Sequence, residues 1–369
     1  MSRRLTIILA AAGAVLLILV GAYFWLTRTL PVLTVATWSG AYGRAQANAM
    51  FRPYGNAKDY DVRLALYDGG VAELQQMVGN RRYDWDVMDF ELPDAIAACR
   101  LGLLEHIDPA ALPAGADGTP AAKDFVRNAI GPCWAGSVVY SQVIAYAPSR
   151  FAGAAAPRTA ADFFDLKRFP GPRALRRGSA KFNLELALLA DGMKPGDVYD
   201  ALLTPVGIDR ALTKLATLKG SLVWWNSSAD AVAMLNDGRA AMATVLNGDI
   251  YDAAQHHHAV GTIWDRQLYE LDVFGVPKGD PRKETALDFV AFATGAQSLA
   301  GVAAWVPYGP ARRSAVPLVG KNPELGIDMT PYLPTTPEHF ATAFAIDDEW
   351  WQLHGPDIEP RWQVWLAQQ

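Results

Sequence analysis

The feature that most constrains this chain is the alternation of strand-like and helix-like segments that begins at Val32. Val32–Thr37 reads VLTVAT, a short apolar run rich in β-branched residues, as a buried strand requires. Residues 42–51 have helical spacing, 62–67 alternate apolar and polar, and Gly69-Gly70 breaks the chain. Residues 71–78 repeat at helical spacing again, and 85–90 (WDVMDF) make a third strand candidate. A β-α-β-α-β order in so short a stretch implies a parallel sheet with right-handed crossovers. Ligands of such sheets sit beyond the carboxyl ends of the strands. Here those ends carry Trp38-Ser39-Gly40-Ala41-Tyr42 and Glu91.

The longest β-like run, 137–145 (SVVYSQVIA), is placed to leave a first lobe for a second. Helical stretches follow at Asn183–Ala190 and 229–236, with strand candidates at Leu222–Trp225 and 241–245. Residues 271–277 (LDVFGVP) read as a returning crossover strand, and 283–294 and 297–304 as helices rejoining the first lobe. The tail from Tyr332 is loop followed by helix, with Trp350, Trp351, Trp362 and Trp365 spaced for packing. A single core rarely grows beyond ~250–300 residues, so two lobes are expected. The boundaries read as 1–31 for a leader segment, 32–136 with 278–315 for lobe 1, 137–277 for lobe 2, and 316–369 for a helical tail packing on the lobes. No internal repeat is visible, and the Ala/Gly/Pro-rich stretches 109–122 and 151–161 read as loops.

The leader carries an uncharged apolar run, 5–26, preceded by Arg3 and Arg4 and followed by Arg28. At ~1.5 Å per residue it is ~33 Å long as a helix, enough to cross a bilayer core. The charge asymmetry keeps the N-terminus in the cytoplasm and sends the chain from about Pro31 across the membrane. Two readings stay open. An uncleaved signal anchor would place Tyr23, Phe24 and Trp25 at the membrane interface; a cleaved signal peptide would end near Val20-Gly21-Ala22. Either puts the working part outside the cytoplasm, tethered to the inner membrane or free in the periplasm. Lipidation is not expected, since the two cysteines, Cys99 and Cys133, lie far from the leader. In an exported chain they can form a disulfide, contributing ~3–4 kcal/mol in the chain-entropy model, with two buried thiols as the alternative.

Charged residues make up 19% and apolar residues 51% of the chain, which suits a globular protein and not a disordered one. Lys and Arg number 33 against 38 Asp and Glu, a net charge of −5 without a basic block, which argues against a nucleic-acid partner. The P-loop, GxGxxG, GxSxG, HExxH and CxxC signatures are absent, so neither a cofactor nor a common catalytic class is indicated. Gln255-His256-His257-His258 lacks a metal-ligand spacing and reads as a solvated loop. What remains is a set of rings and acids near strand ends: Trp38, Tyr42, Glu91, Trp225, Asp249, Asp272 and Tyr308. Taken singly, each is a core ring or a surface charge. Together they suit an amine, because ring faces attract a cation by ~0.5–2 kcal/mol and carboxylates pair with it. Acids buried without cations repel and raise one another's pKa, which a cationic ligand would relieve.

Several runs carry a resemblance: Ala36-Thr37-Trp38-Ser39-Gly40-Ala41-Tyr42, Tyr83-Asp84-Trp85-Asp86-Val87-Met88-Asp89-Phe90-Glu91, Ala98-Cys99, and Gly102-Leu103-Leu104-Glu105. Further ones are Val223-Trp224-Trp225-Asn226-Ser227-Ser228, Asn247-Gly248-Asp249, Leu271-Asp272-Val273-Phe274-Gly275-Val276-Pro277 and Tyr308-Gly309-Pro310. In order and spacing they resemble the polyamine-binding proteins (spermidine, putrescine) of ABC importers, over essentially the whole chain after the leader. The resemblance implies an α/β, two-lobed periplasmic-binding-protein fold of type II, whose crossover strands act as a hinge. It implies Trp38 and Tyr42 as ring contacts, Ser39 as a polar contact, and Asp249 and Asp272 as amine-binding carboxylates. Tyr308 would close the box, Trp225 and Ser227 would reach in from the second lobe, and Glu185 falls near a further acid position. It also implies a monomer that hands a small cationic ligand to permease subunits in the inner membrane. The chain departs from the family at Leu246-Asn247, where relatives carry a tryptophan, and at Phe90-Glu91, where a serine often follows the third strand. Three other readings remain: the same fold with another ligand (a quaternary amine, an amino-acid derivative or ferric ion), a hydrolase with two acids ~5–9.5 Å apart, or a tethered sensor.

Overall fold

Two long strands organise the molecule: β4 (Ala135–Tyr146) and β8 (Gly261–Gly275) run antiparallel beside each other from Ala135↔Phe274 to Tyr146↔Gly261. The computed structural model describes residues 29–151 and 155–369, so the apolar run 5–26, with its anchor and signal readings, lies outside the described residues. Among the described residues no single helix is long and apolar enough to cross a membrane.

The remaining strands attach to opposite ends of this pair. β1 (Val32–Thr37), β2 (Asp61–Leu66) and β3 (Val87–Glu91) lie on the side of β8's carboxyl half. β5 (Arg173–Arg176), β6 (Leu222–Trp225) and β7 (Met242–Leu246) lie on the side of β4's carboxyl half. Two short strands, β9 (Gly309–Pro310) and β10 (Phe344–Ala345), add to β4 and β8. The order β2-β1-β3-β8-β4-β7-β5-β6 is thus one continuous sheet whose middle strands pass between two lobes. β1 pairs parallel with β2 and β3, as the β-α-β pattern predicts. β8 joins β3 antiparallel, because it returns from the second lobe and does not start a new crossover in the first.

The apolar side chains form separate cores. One gathers Leu33, Val35, Phe90, Val273, Phe274 and Phe289; another gathers Phe163, Leu188, Leu215 and Trp362; a third, smaller one holds Val143, Val245 and Ile250 beside Trp225. The tail helix Asp348–Leu366 sends Trp351, Ile358, Trp362 and Leu366 into the second of these. Its first turns also reach the opposite lobe. Glu349 pairs with Arg100, and Gln352 Nε2 donates to Pro93 O at 2.7 Å. The tail therefore straps both lobes behind the sheet.

β5 has no apolar periodicity to announce it, since Arg173 and Arg176 stand at its two ends. Burial of Arg173 is made tolerable by carbonyls: its guanidinium donates to Phe163 O (2.6 Å), Gly171 O (2.7 Å) and Phe169 O. Cys99, at the end of the helix Leu92–Arg100, is disulfide-bonded to Cys133, two residues before β4.

Candidate functional site

The strand ends converge on a cavity of about 360 Å³. β1 delivers Trp38, Ser39 and Tyr42; β3 delivers Glu91; β4 and β8 deliver Tyr140 and Asp272. The end of β7 adds Leu246, the helix Asn247–Gln255 that follows adds Asn247, Gly248, Asp249 and Asp252, and Tyr308 comes from the segment before β9. The loop after β1 turns tightly: a Cβ on Gly43 would stand 2.4 Å from Trp38 O and 2.9 Å from Leu64 Cδ1. Only glycine lets the helix Gly40–Gln46 press against the loop that presents Trp38.

The rings meet tilted or edge to face. Trp38 lies 5.2 Å from Tyr67, and Tyr42 lies 5.5 Å from Tyr308 at 76°. Tyr42 Oη shares a 3.0 Å hydrogen bond with Ser137 Oγ. Beneath it, buried Asp89 accepts Gln46 Nε2 (2.7 Å) and Thr37 Oγ1 (3.2 Å) through Oδ2. Its Oδ1 has no hydrogen-bond partner among the described residues.

The acids share one face of the sheet. Glu91 and Asp272 are partners in the β3–β8 register, and Tyr140 is the partner of Glu270 in the β4–β8 register. Residues directly opposite each other in an antiparallel ladder project to the same side. Burial pushes the Asp272 carboxyl well above the ordinary range, helped by the charges of Asp89, Glu91 and Glu270. Burial also raises Glu91, with Glu270 and Asp94 adding to the shift and Lys181 and Arg176 opposing it. Asp89 is pushed up to about 7 by burial, opposed by its polar neighbours Tyr42, Gln46 and Thr37. Tyr308 is pushed up to about 12, first by burial and then by Asp272, Asp249 and Asp252. Lys181 spends its charge elsewhere: it pairs with Glu270 and, at 2.7 Å, with Asp348. Among the described residues no Lys or Arg lines the cavity or forms an ion pair with Glu91 or Asp272.

Seven of the residues expected from the sequence are brought together here: Trp38, Ser39, Tyr42, Glu91, Asp249, Asp272 and Tyr308. Three are not. Glu185 sits in the wholly buried helix Asn183–Ala190, where Trp351 Nε1 and Tyr199 Oη donate to its Oε1, and burial pushes it up to about 7. Trp225 packs into the small second-lobe core beside Ala231, Val232 and Leu235. Ser227 is exposed and starts the helix Ser228–Asn236, its N–H donating to Asp230 Oδ2 at 3.3 Å. The sequence pattern did not single out Tyr140 or Asp252, and it gave Asn247 and Gly248 only as neighbours of Asp249. Tyr140 was hidden in an apolar-looking crossover run. Asp252 follows Asp249 by three residues on the helix Asn247–Gln255, a spacing that puts two acids on one helical face.

Comparison with known proteins bears on the same segments. The family described as bacterial extracellular solute-binding protein matches residues 49–327. A gamma-aminobutyric acid-binding protein of Pseudomonas aeruginosa is 36% identical over 335 residues, 91% of this chain and 91% of that protein. A solved structure of a GABA receptor is 28% identical, covers 91% of this chain and 98% of its own, and superposes with a TM-score of 0.71. An ABC transporter substrate-binding protein from Bradyrhizobium japonicum is 28% identical, covering 91% of this chain and 99% of its own at a TM-score of 0.73. With its two α/β lobes, its crossover strands and this coverage, the chain belongs to the bacterial extracellular solute-binding proteins.

Proposed function

We propose that this protein is the substrate-binding component of an ABC importer and that it captures a small ligand bearing an ammonium group. The observation that carries the reading is the opposed pair Glu91 and Asp272, walled by Trp38, Tyr42, Tyr140 and Tyr308 with no basic side chain among the described lining residues. A buried carboxylate, Asp272, and an exposed one at the strand end, Glu91, repel each other, and an ammonium seated between them relieves that repulsion. The rings add cation–π attraction on the remaining sides. β4 and β8 serve as the hinge, and the lobes close on the ligand before delivery to permease subunits.

The ligand class we favour is a short ω-amino acid of the γ-aminobutyrate type. The similar protein from Pseudomonas aeruginosa and the GABA receptor structure are both named for that compound. A polyamine such as putrescine or spermidine is the second reading. It draws on the lining itself, where Glu91, Asp249, Asp252 and Asp272 are four carboxylates.

Titration calorimetry of the purified protein with γ-aminobutyrate, putrescine and spermidine tests this. Binding of γ-aminobutyrate alone supports the favoured ligand, and binding of a diamine or triamine alone supports the second. Absence of binding by all three, with no thermal stabilisation at millimolar ligand, rejects the amine reading. A ligand at ~100 times its Kd would have contributed ~2.7 kcal/mol.

A further inference from the structure

An ω-amino acid has a carboxylate as well as an ammonium, and the acidic cavity offers that carboxylate no cation. Two basic residues act on Glu91 from outside the lining, Lys181 and Arg176, and only Arg176 is free of a carboxylate partner among the described residues. β5 ends at Arg176, whose register partner on β6 is Trp225. On its other side β5 pairs with β7 through Ala174↔Ala243. Carrying that parallel register forward sets Arg176 level with Val245, one residue before the cavity-lining stretch that starts at Leu246. Arg176 is thus at the carboxyl edge of the second-lobe sheet, beside the cleft.

Its surroundings leave the guanidinium uncommitted. Arg176 is exposed, and its guanidinium carbon lies 6.0 Å from the centre of the Trp225 ring. Among the described residues it makes neither an ion pair nor a side-chain hydrogen bond. The other basic residue whose charge acts on Glu91, Lys181, is already held between Glu270 and Asp348. Trp225 itself is buried, and its Nε1–H has no acceptor among the described residues. The exposed Arg176 guanidinium therefore stands over the buried Trp225 ring at the edge of the lobe opposite Glu91, free of any carboxylate among the described residues.

We propose that Arg176 is the carboxylate-receiving residue of the cleft and decides between an ω-amino acid and a diamine. This rests on the amine reading of the site. With the ligand's ammonium between Glu91 and Asp272, closure carries the second-lobe edge toward its free end. A guanidinium fork suits a carboxylate bidentately, and the Trp225 ring beneath holds it flat. The ligand then spans both lobes and holds them shut. A diamine of the same length would present a second ammonium to Arg176, and the like charges repel.

The test is calorimetric titration of wild type, R176Q and R176K with γ-aminobutyrate, n-butylamine and putrescine. Arg176 is exposed and unpaired, so the variants should fold, and unchanged ligand-free melting points check it. R176Q should bind γ-aminobutyrate about 10- to 100-fold more weakly, with R176K intermediate, while n-butylamine is unchanged and putrescine is unchanged or tighter. Unchanged γ-aminobutyrate affinity in R176Q, or an equal loss for all three amines, overturns the role of Arg176. So does a wild type that prefers putrescine. If wild type binds none of the amines, the amine reading itself falls, a result distinct from a wild type that binds and is indifferent to residue 176.

Discussion

Glu91 and Asp272 face each other across the β3–β8 ladder, one at the end of a first-lobe strand and the other on the strand that returns from the second lobe. Their carboxyl groups leave the sheet on the same side, Asp272 buried and Glu91 at the exposed strand end, and both are raised above the ordinary range by lost hydration and neighbouring acids. The lobes therefore share a site whose ligand-free state is held under electrostatic repulsion.

Removing one of the two acids should trade affinity for stability. D272N is expected to weaken amine binding by ~2–5 kcal/mol, because one partner of a desolvated charge pair is lost. The same variant should melt at a higher temperature without ligand, since the repulsion goes with the charge. Calorimetry and thermal unfolding of ligand-free protein check the two halves. A variant that loses affinity and stability together would mean that Asp272 is needed for the fold.

The raised acids predict a pH dependence with a definite sign. Asp89 and Glu185 are pushed up to about 7, and Glu91 and Asp272 are also raised. Unfolded carboxyls titrate near ~4, so between pH ~4 and ~7 the folded protein holds protons that the unfolded chain has lost. Ligand-free stability should therefore fall as pH rises through that window. Amine affinity should rise over the same window, and binding near pH 6 should release protons. Melting curves from pH 5 to 8, and titrations in buffers of different ionisation enthalpy, measure both.

Gly43 is expected to be intolerant of any side chain. A Cβ there would lie 2.4 Å from Trp38 O, so G43A must shift the loop that presents Trp38 and Ser39. Overpacking of this kind costs ~1–3 kcal/mol. A larger loss of ligand affinity than of stability would locate the damage in the loop, whereas an unchanged variant would show that the loop yields freely.

The Cys99–Cys133 disulfide, 34 residues apart, should contribute ~3–4 kcal/mol by restricting the unfolded chain. Reduction, or the double variant C99S/C133S, is expected to lower the denaturation midpoint without moving Glu91 or Tyr140. Ligand affinity of the folded reduced protein should stay within about twofold of the oxidised form. An affinity loss would mean that the bridge holds the cleft and not only the fold.

Local pattern carried a large part of this architecture. The apolar runs of β1 and β3, the helical spacing that resolves into Ala72–Asn80 and the glycine break between them are short-range signals, and each appears where the residues predict it. The rings and acids at the ends of those strands were legible for the same reason: βαβ handedness fixes which end of a parallel strand faces a ligand. β8 was legible only in its carboxyl half, because Asp265, Arg266 and Glu270 interrupt the apolar pattern of the other. β5 was not visible at all, with an arginine at each end whose burial or exposure depends on carbonyls and a ring supplied from elsewhere.

Glu185 and Asp272 mark the boundary most clearly. Both are buried acids, yet Glu185 accepts hydrogen bonds from Trp351 and Tyr199 through Oε1 in the second-lobe core while Asp272 opens onto the cavity. Which acid meets a side-chain donor from a distant segment is decided by how the tail helix and the crossover strands pack. Periodicity along the chain reports a residue's own element and face. Long-range register and lobe packing choose its neighbours, and those neighbours made Tyr140 and Asp252 part of the cleft and took Trp225 and Ser227 out of its lining.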